Sequence, residues 1–188
     1  MSSTSERRTK YRRFSDRRVA VMLAVHELLF DLPPGPERDE KILGVLRDDF
    51  GSDRAALVAP VDGTAPGLVV NAASGAWSEG PRGRRLTGRG LEHLLEVHRL
   101  AAGAVTLTYI RRPAAFDSDG WEDLFNRDLL EPTSALLSVE LLPDSAPRSF
   151  LWLQQEIGSR EWSSNDRELA EEVARLLARA ADRAIGEA

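Results

Sequence analysis

The chain has no cysteine among its 188 residues. That absence excludes disulfides, zinc–thiolate sites, thiol catalysis and a thioether-linked chromophore. Histidine is scarce: only His26, His93 and His98 occur. The last two are five positions apart, off the i, i+4 spacing that places two ligands on one helix face, so no metal site is expected. No apolar run approaches the ~20 residues that span a bilayer. No apolar segment with a small-residue cleavage site follows the basic N-terminus. A cytoplasmic protein without a membrane span is the expectation.

Catalytic signatures are missing as well. Ser, His and acidic residues form no triad motif. The arginine- and glycine-rich "GPRGRRLTGRG" lacks the Gly-Lys-Ser/Thr ending of a phosphate-binding P-loop. Arg82, Arg84, Arg85 and Arg89 precede a helix start that would suit an anion, but a solvated loop is the plainer reading. In "FDSDGWEDLFNRD" the glycine falls two positions too early for an EF-hand, which leaves a charged surface connection. No enzyme is expected, and the residues name no cofactor.

What is present is ordinary for a globular chain: 42% apolar and 29% charged residues, in a length that suits one domain. Charge is unevenly placed. Seven basic residues between Arg7 and Arg18 face only Glu6 and Asp16, so the first eighteen residues carry +5 within a net charge of −5. Residues 1–16 are expected to form a flexible basic arm on a domain at 17–188. Only Tyr11 and Phe14 interleave with the basic residues, too little for base stacking, and no nucleic-acid partner is expected.

Periodicity organises the rest. Val19, Met22, Leu23, His26, Leu29 and Phe30 recur at helical spacing, and "DLPPGP" ends that helix. "ERDEKILGVLRDDFG" predicts a second helix, with Ile42, Leu43, Leu46 and Phe50 on one side and Gly51 at its stop. "AALVAPV" and "GLVVNAA" read as paired strands. "LEHLLEVHRLA" is helical, "AVTLTYI" a strand, and a short helix is expected within 121–130. "SALLSVELL" and "SFLWLQQEI" pair across the turn "PDSAP". The last helix starts at Ser163 and Asp166, which stand in capping-box spacing. Leu169, Val173, Leu176, Leu177, Ala180, Ala181 and Ile185 form its predicted buried stripe. The fold class is α+β with one central sheet.

This order resembles the GAF domain, a small-molecule-sensing relative of the PAS fold. The likeness covers about 19–185 and rests most on "SALLSVELLPDSAPRSFLWLQQEIGSREWSSNDRELAEEVARLLARAADRAI". Two strands there lead through an aromatic, Trp162, into a Ser/Asn/Asp helix start. The resemblance implies a central antiparallel sheet of about five to six strands. Terminal helices would pack on one face, and connecting loops and helices would cover the other. It implies a homodimer through the first and last helices, for which the alanines Ala170, Ala174, Ala178, Ala180, Ala181 and Ala184 would allow close approach. It also implies, with the last helix stopping at Ala188, either a free-standing regulatory subunit or a sensor in signal transduction whose output partner is a separate chain. Asn126 and Asp128 do not reproduce the cyclic-nucleotide motif of some members. The redox members' cysteines are absent.

A ligand, of unnamed identity, would sit over the sheet under the long connections. The candidate residues are Tyr109 and Arg111 after the middle strand, and Trp121, Phe125 and Asn126 in the connection that follows. Thr108 and Ser138 are strand residues expected to point inward, and Trp77 is expected to close one wall. The alternative is a dimerisation or scaffold module in which these aromatics fill the core. Both readings stay open at this point.

Overall fold

A computed structural model describes residues 4–61, 67–77, 80–101, 103–108, 124, 133–142, 144, 148–156 and 161–186, with backbone alone for 4–13 and 108. Helix α1 spans Thr4–Asp31 and α2 Pro36–Phe50; strands β1, β2 and β3 cover Arg54–Pro60, Leu68–Gly75 and Arg85–Leu86. Helix α3 (Arg89–Leu100) precedes β4 (Val105–Thr108), β5 (Ala135–Leu141) and β6 (Ser149–Gln155), and α4 is Ser164–Gly186. The strands form one six-stranded sheet in the order β3-β2-β1-β6-β5-β4, and every pairing is antiparallel. The α+β class and the antiparallel sheet are as expected. The short strand β3 was missed, because two residues in an arginine-rich stretch carry no alternation to detect.

Alternation along the strands divides the interior in two. Ala55 and Leu57 of β1, Leu151 and Leu153 of β6, and Leu137 and Val139 of β5 join Val25, Ile42, Leu46, Phe50, Leu169 and Val173 in one cluster. That cluster lies between the sheet and α1, α2 and α4. The intervening residues Ala56, Val58, Leu136, Phe150 and Trp152 pack on the other face with Leu91 and Leu94 of α3 and with Leu124. Fully burying each large apolar side chain stabilises by about 1.5–3 kcal/mol.

Local chemistry explains the helix ends. Pro36 opens α2 where its missing N–H costs nothing. At the other end Gly51 takes φ 59°, with Gly51 N–H on Asp48 O at 3.3 Å and Ser52 N–H on Arg47 O at 3.0 Å. This is the Schellman arrangement, and glycine tolerates its left-handed residue. Ser163 and Asp166 form the expected capping box: Asp166 N–H donates to Ser163 Oγ at 3.1 Å and Ser163 N–H to Asp166 Oδ2 at 3.0 Å.

Three expectations need correcting. Helix α1 reaches back to Thr4, into the stretch read as a flexible arm. Residues 4–16 contain no glycine or proline and hold four arginines, one lysine and one glutamate, which propagate a helix well once it is nucleated by its packed part. The inward residues of α1 are Val21 and Val25, with Met22, Leu28 and Leu29 beside them; Val19, Leu23 and Phe30 are exposed. On α4, Ala170, Val173, Ala174, Leu177 and Ala178 are buried in the core cluster under the sheet, whereas Ile185 is exposed. The alanines therefore bring α4 close to its own sheet, and Val173 and Leu177 are unavailable to a partner.

Candidate functional site

The face under α3 holds an unusual share of polar side chains for a protein interior. Arg54 opens β1 and is 2% exposed. Its guanidinium lies 5.5 Å from the ring centroid of Trp77, which follows β2, within cation–π range. Gln154 on β6 is the cross-strand partner of Arg54 and is also buried. Trp152, two residues earlier on the same face, pairs with Ala56 on one side and Ser138 on the other. Strand alternation thus sets Arg54, Gln154, Trp152 and Ser138 in adjacent register positions.

Ser138 is wholly buried, and its Oγ lies 2.7 Å from Nε2 of His98. The His98 ring packs on Phe150 at 5.0 Å between centroids. Burial, helped by the positive charge of Arg148, pulls the His98 pKa down to about 4, so the imidazole is neutral near pH 7. Arg148 itself pairs with Glu140 at the end of this face. The Ser138–His98 pair has the spacing of a nucleophile and base. However, its hydroxyl is sealed beneath α3, and among the described residues no carboxylate is bonded to His98. It pins α3 to β5.

Several polar atoms on this face are buried without a hydrogen-bond partner: Nε1 of Trp77, Nε1 of Trp152 and Oε1 of Gln154. Each such atom costs roughly 1–3 kcal/mol relative to a satisfied one. Native interiors rarely tolerate such groups without a reason.

The residues expected at a site divide accordingly. Ser138 and Trp77 do lie on the α3 side, Ser138 engaged by His98 and Trp77 by Arg54. Thr108 is the last residue of β4 and pairs with Ala135. Tyr109, Arg111, Trp121, Phe125 and Asn126 lie outside the described residues. Arg54, Gln154, Trp152 and His98 were not expected there. For Arg54 and Gln154 the sequence signal was a polar residue at an inward position of an apolar strand. The arginine-rich stretch before α3 is partly drawn into the sheet through Arg85 and Leu86, and Gly88 gives α3 no side-chain cap. Among the described residues no group of three or more His, Asp or Glu is placed to hold a metal ion. No described helix is long and apolar enough to cross a membrane.

The fold recurs in solved structures. The GAF domain of a phosphoenolpyruvate-protein phosphotransferase from Coxiella burnetii superposes with a TM-score of 0.63 at 18% identity, covering 91% of this chain and 96% of that one. The phycocyanobilin-bound GAF domain of a cyanobacterial phytochrome gives 0.70 at 13% identity, over 90% and 96%. The blue-light absorbing form of the Thermosynechococcus elongatus PixJ GAF domain gives 0.60 at 20% identity, over 100% and 93%. The fold is that of a GAF domain. No protein-family model and no curated protein sequence matches the chain, so the GAF likeness is one of architecture. Within that architecture, α1, α2 and α4 form the helical face and α3 lies over the polar face.

Proposed function

We propose that this GAF-fold protein is a non-enzymatic, small-molecule-sensing regulatory module in signal transduction. It binds its ligand on the α3 face and passes the bound state through α1 and α4 to a partner chain. The observation that carries this reading is the set of buried, unpartnered polar atoms at Trp77, Trp152 and Gln154. A ligand with matching groups removes their desolvation cost, which a filled core would not. Three of the structural neighbours are described as bilin-bound, by phycocyanobilin, biliverdin and phycoerythrobilin. A thioether-attached bilin is excluded here by the lack of cysteine.

A mechanical route supports the relay. Arg54 stands four residues after Phe50, the last residue of α2. Arg17 of α1 lies 5.0 Å from the Phe50 ring centroid and donates to Asp49 and to Asp166 of α4, both at 2.8 Å. A shift of Arg54 on ligand binding therefore reaches three helix contacts through a short, rigid connection. β6 carries Trp152 and Gln154 toward the ligand face and Leu151 and Leu153 toward the helical core that includes α4.

The exposed face of α1 supports a homodimer. Val19, Leu23 and Phe30 are 63%, 55% and 85% exposed and follow one another at helical spacing. Beside them a groove of about 450 Å³ runs between the end of α1 and Ala180 and Ala184 of α4. Apolar side chains of this size exposed in a row mark an interaction surface.

Thermal unfolding against a panel of nucleotides, amino acids and aromatic acids tests the sensor reading. A ligand at a hundred times its dissociation constant adds about 2.7 kcal/mol and raises the midpoint. No shift with any compound would place the scaffold reading ahead.

A further inference from the structure

We infer that a second copy of the chain docks on the outer face of α1 in parallel, with Glu27 of each copy against Arg179 and Arg183 of the other. The inference rests on the homodimer proposed above and adds its alignment and its cross-copy ion pairs. The seam comes first. Val19, Leu23, His26 and Phe30 are separated by four, three and four residues, and all four are exposed. That alternation is the a/d pattern of a coiled-coil seam, which packs on another helix. The next seam positions toward the N-terminus are Asp16 and Arg12. The apolar stripe therefore stops where α1 passes the start of α4, beside the contact of Arg17 with Asp166.

The flanks of the seam decide the direction. On one side Met22 and Leu29 turn to the chain's own α4, where they line grooves with Leu176, Arg179 and Arg183. On the other side, about 100° around the helix from His26, stands the exposed Glu27. Arg175, Arg179 and Arg183 recur every fourth residue on the exposed face of α4 and repel one another. Among the described residues neither Glu27, Arg179 nor Arg183 has an ion-pair partner. A two-fold axis running along the seam carries the second copy's α4 to the side opposite the first copy's own α4. That is the Glu27 side. Helices α1 and α4 run in the same direction, with Arg18 on Glu172 early and Phe30 beside Ala180 and Ala184 later. Glu27 of one copy therefore stands level with Arg179 and Arg183 of the other. An axis across the seam instead sets arginine against arginine and brings the two Glu27 flanks together. Opposite charges select the parallel pair. One term opposes it: residues 4–13 carry five basic residues against one acidic residue, and the two copies' segments lie level, repelling over a distance of about 10 Å at 0.1 M salt.

Two charge variants of the full chain test the alignment by sedimentation equilibrium. Glu27→Arg sets like charges together in a parallel homodimer, and so does Arg179→Glu combined with Arg183→Glu. Each should raise the dimer dissociation constant at least about tenfold, with melting midpoints close to wild type because all three side chains are exposed. An equimolar mixture of the two should recover dimer, since both contacts of the mixed pair then join opposite charges. In an antiparallel dimer the arginine replacements relieve repulsion, so a tighter homodimer overturns the alignment, as does a mixture that stays monomeric. The chain has no cysteine, so Val19→Cys and Phe30→Cys each introduce a unique thiol. Both variants should form a disulfide-linked dimer with oxidised glutathione as the electron acceptor, because a parallel seam sets each residue beside its own copy. An antiparallel seam meets that condition at one position only, so a dimer in which either thiol fails to crosslink overturns the alignment. At low salt, removing residues 2–13 should tighten the dimer, and loosening it overturns the alignment too. A dimer indifferent to the charge variants removes the alignment and leaves the homodimer. A wild-type protein that is monomeric at high micromolar concentration removes both.

Discussion

Replacing Asp166 with alanine should cost about 3 kcal/mol, because this carboxylate serves two ends of the helical face at once. One oxygen accepts from Arg17 at 2.8 Å, and the other completes the capping box with Ser163. Losing a hydrogen bond to a charged group costs about 1.5–3 kcal/mol, and losing the cap adds about 1 kcal/mol. For a chain of this size each kcal/mol lowers the midpoint by about 2–4 °C, so a drop of about 6–12 °C is expected by calorimetry at pH 7. A cycle with Arg17→Met should show a coupling of about 1 kcal/mol or more, since the two side chains touch. The pH dependence has a definite sign. Burial opposes ionisation of Asp166, but the hydrogen bonds from Arg17 and Ser163 outweigh it and hold its pKa below 3.8. Its contribution is therefore complete above the unfolded-state value and is lost as pH falls through the lower folded value. The gap between wild type and Asp166→Ala should close under strong acid. A cost below about 1 kcal/mol at pH 7 with no coupling to Arg17 would refute the tie between α1 and α4.

His98 should produce a second pH effect. Its folded pKa near 4 lies below the ordinary 6.5, so only the unfolded state takes up this proton between those values and stability falls as pH drops from 6.5 to 4. His98→Gln should flatten that slope, and an imidazole that titrates near 6.5 by NMR in the folded protein would contradict the burial argument. Leu23→Glu and Phe30→Glu should convert the proposed dimer to monomer in light scattering with little change in midpoint, because both side chains are exposed; a wild-type protein monomeric at high micromolar concentration removes the dimer. Deleting residues 2–13 leaves Arg17 and its two carboxylates in place, so the midpoint should move by no more than a few degrees, and a large loss would mean that this stretch packs on the body.

The fold was legible because its evidence is local and periodic. The apolar runs of β1, β2, β5 and β6, the capping pair Ser163 and Asp166, and Gly51 past Phe50 each follow from a rule that acts within a few residues. The absence of cysteine excluded whole chemistries without reference to any structure. The site was legible only in part. Ser138 and Trp77 lie on the covered face, and Arg54, Gln154, Trp152 and His98 gained their meaning only when strand register brought β1, β6 and β5 side by side and α3 over them.

A sequence prescribes which residues alternate and which recur every three or four positions; it does not say which of two apolar stripes meets the rest of the chain. On α1, Val21 and Val25 and the set Val19, Leu23 and Phe30 satisfy the same periodicity, and only packing against α2 and α4 decided that the first is core and the second surface. Ala170, Ala174 and Ala178 of α4 were equally suited to a partner helix or to the chain's own sheet, and the sheet took them. The same holds for polarity. An arginine at the head of a strand is unremarkable in sequence, and its burial beside two tryptophans and a glutamine is a property of register, because hydrogen-bond partners far apart in the chain are set by tertiary pairing alone.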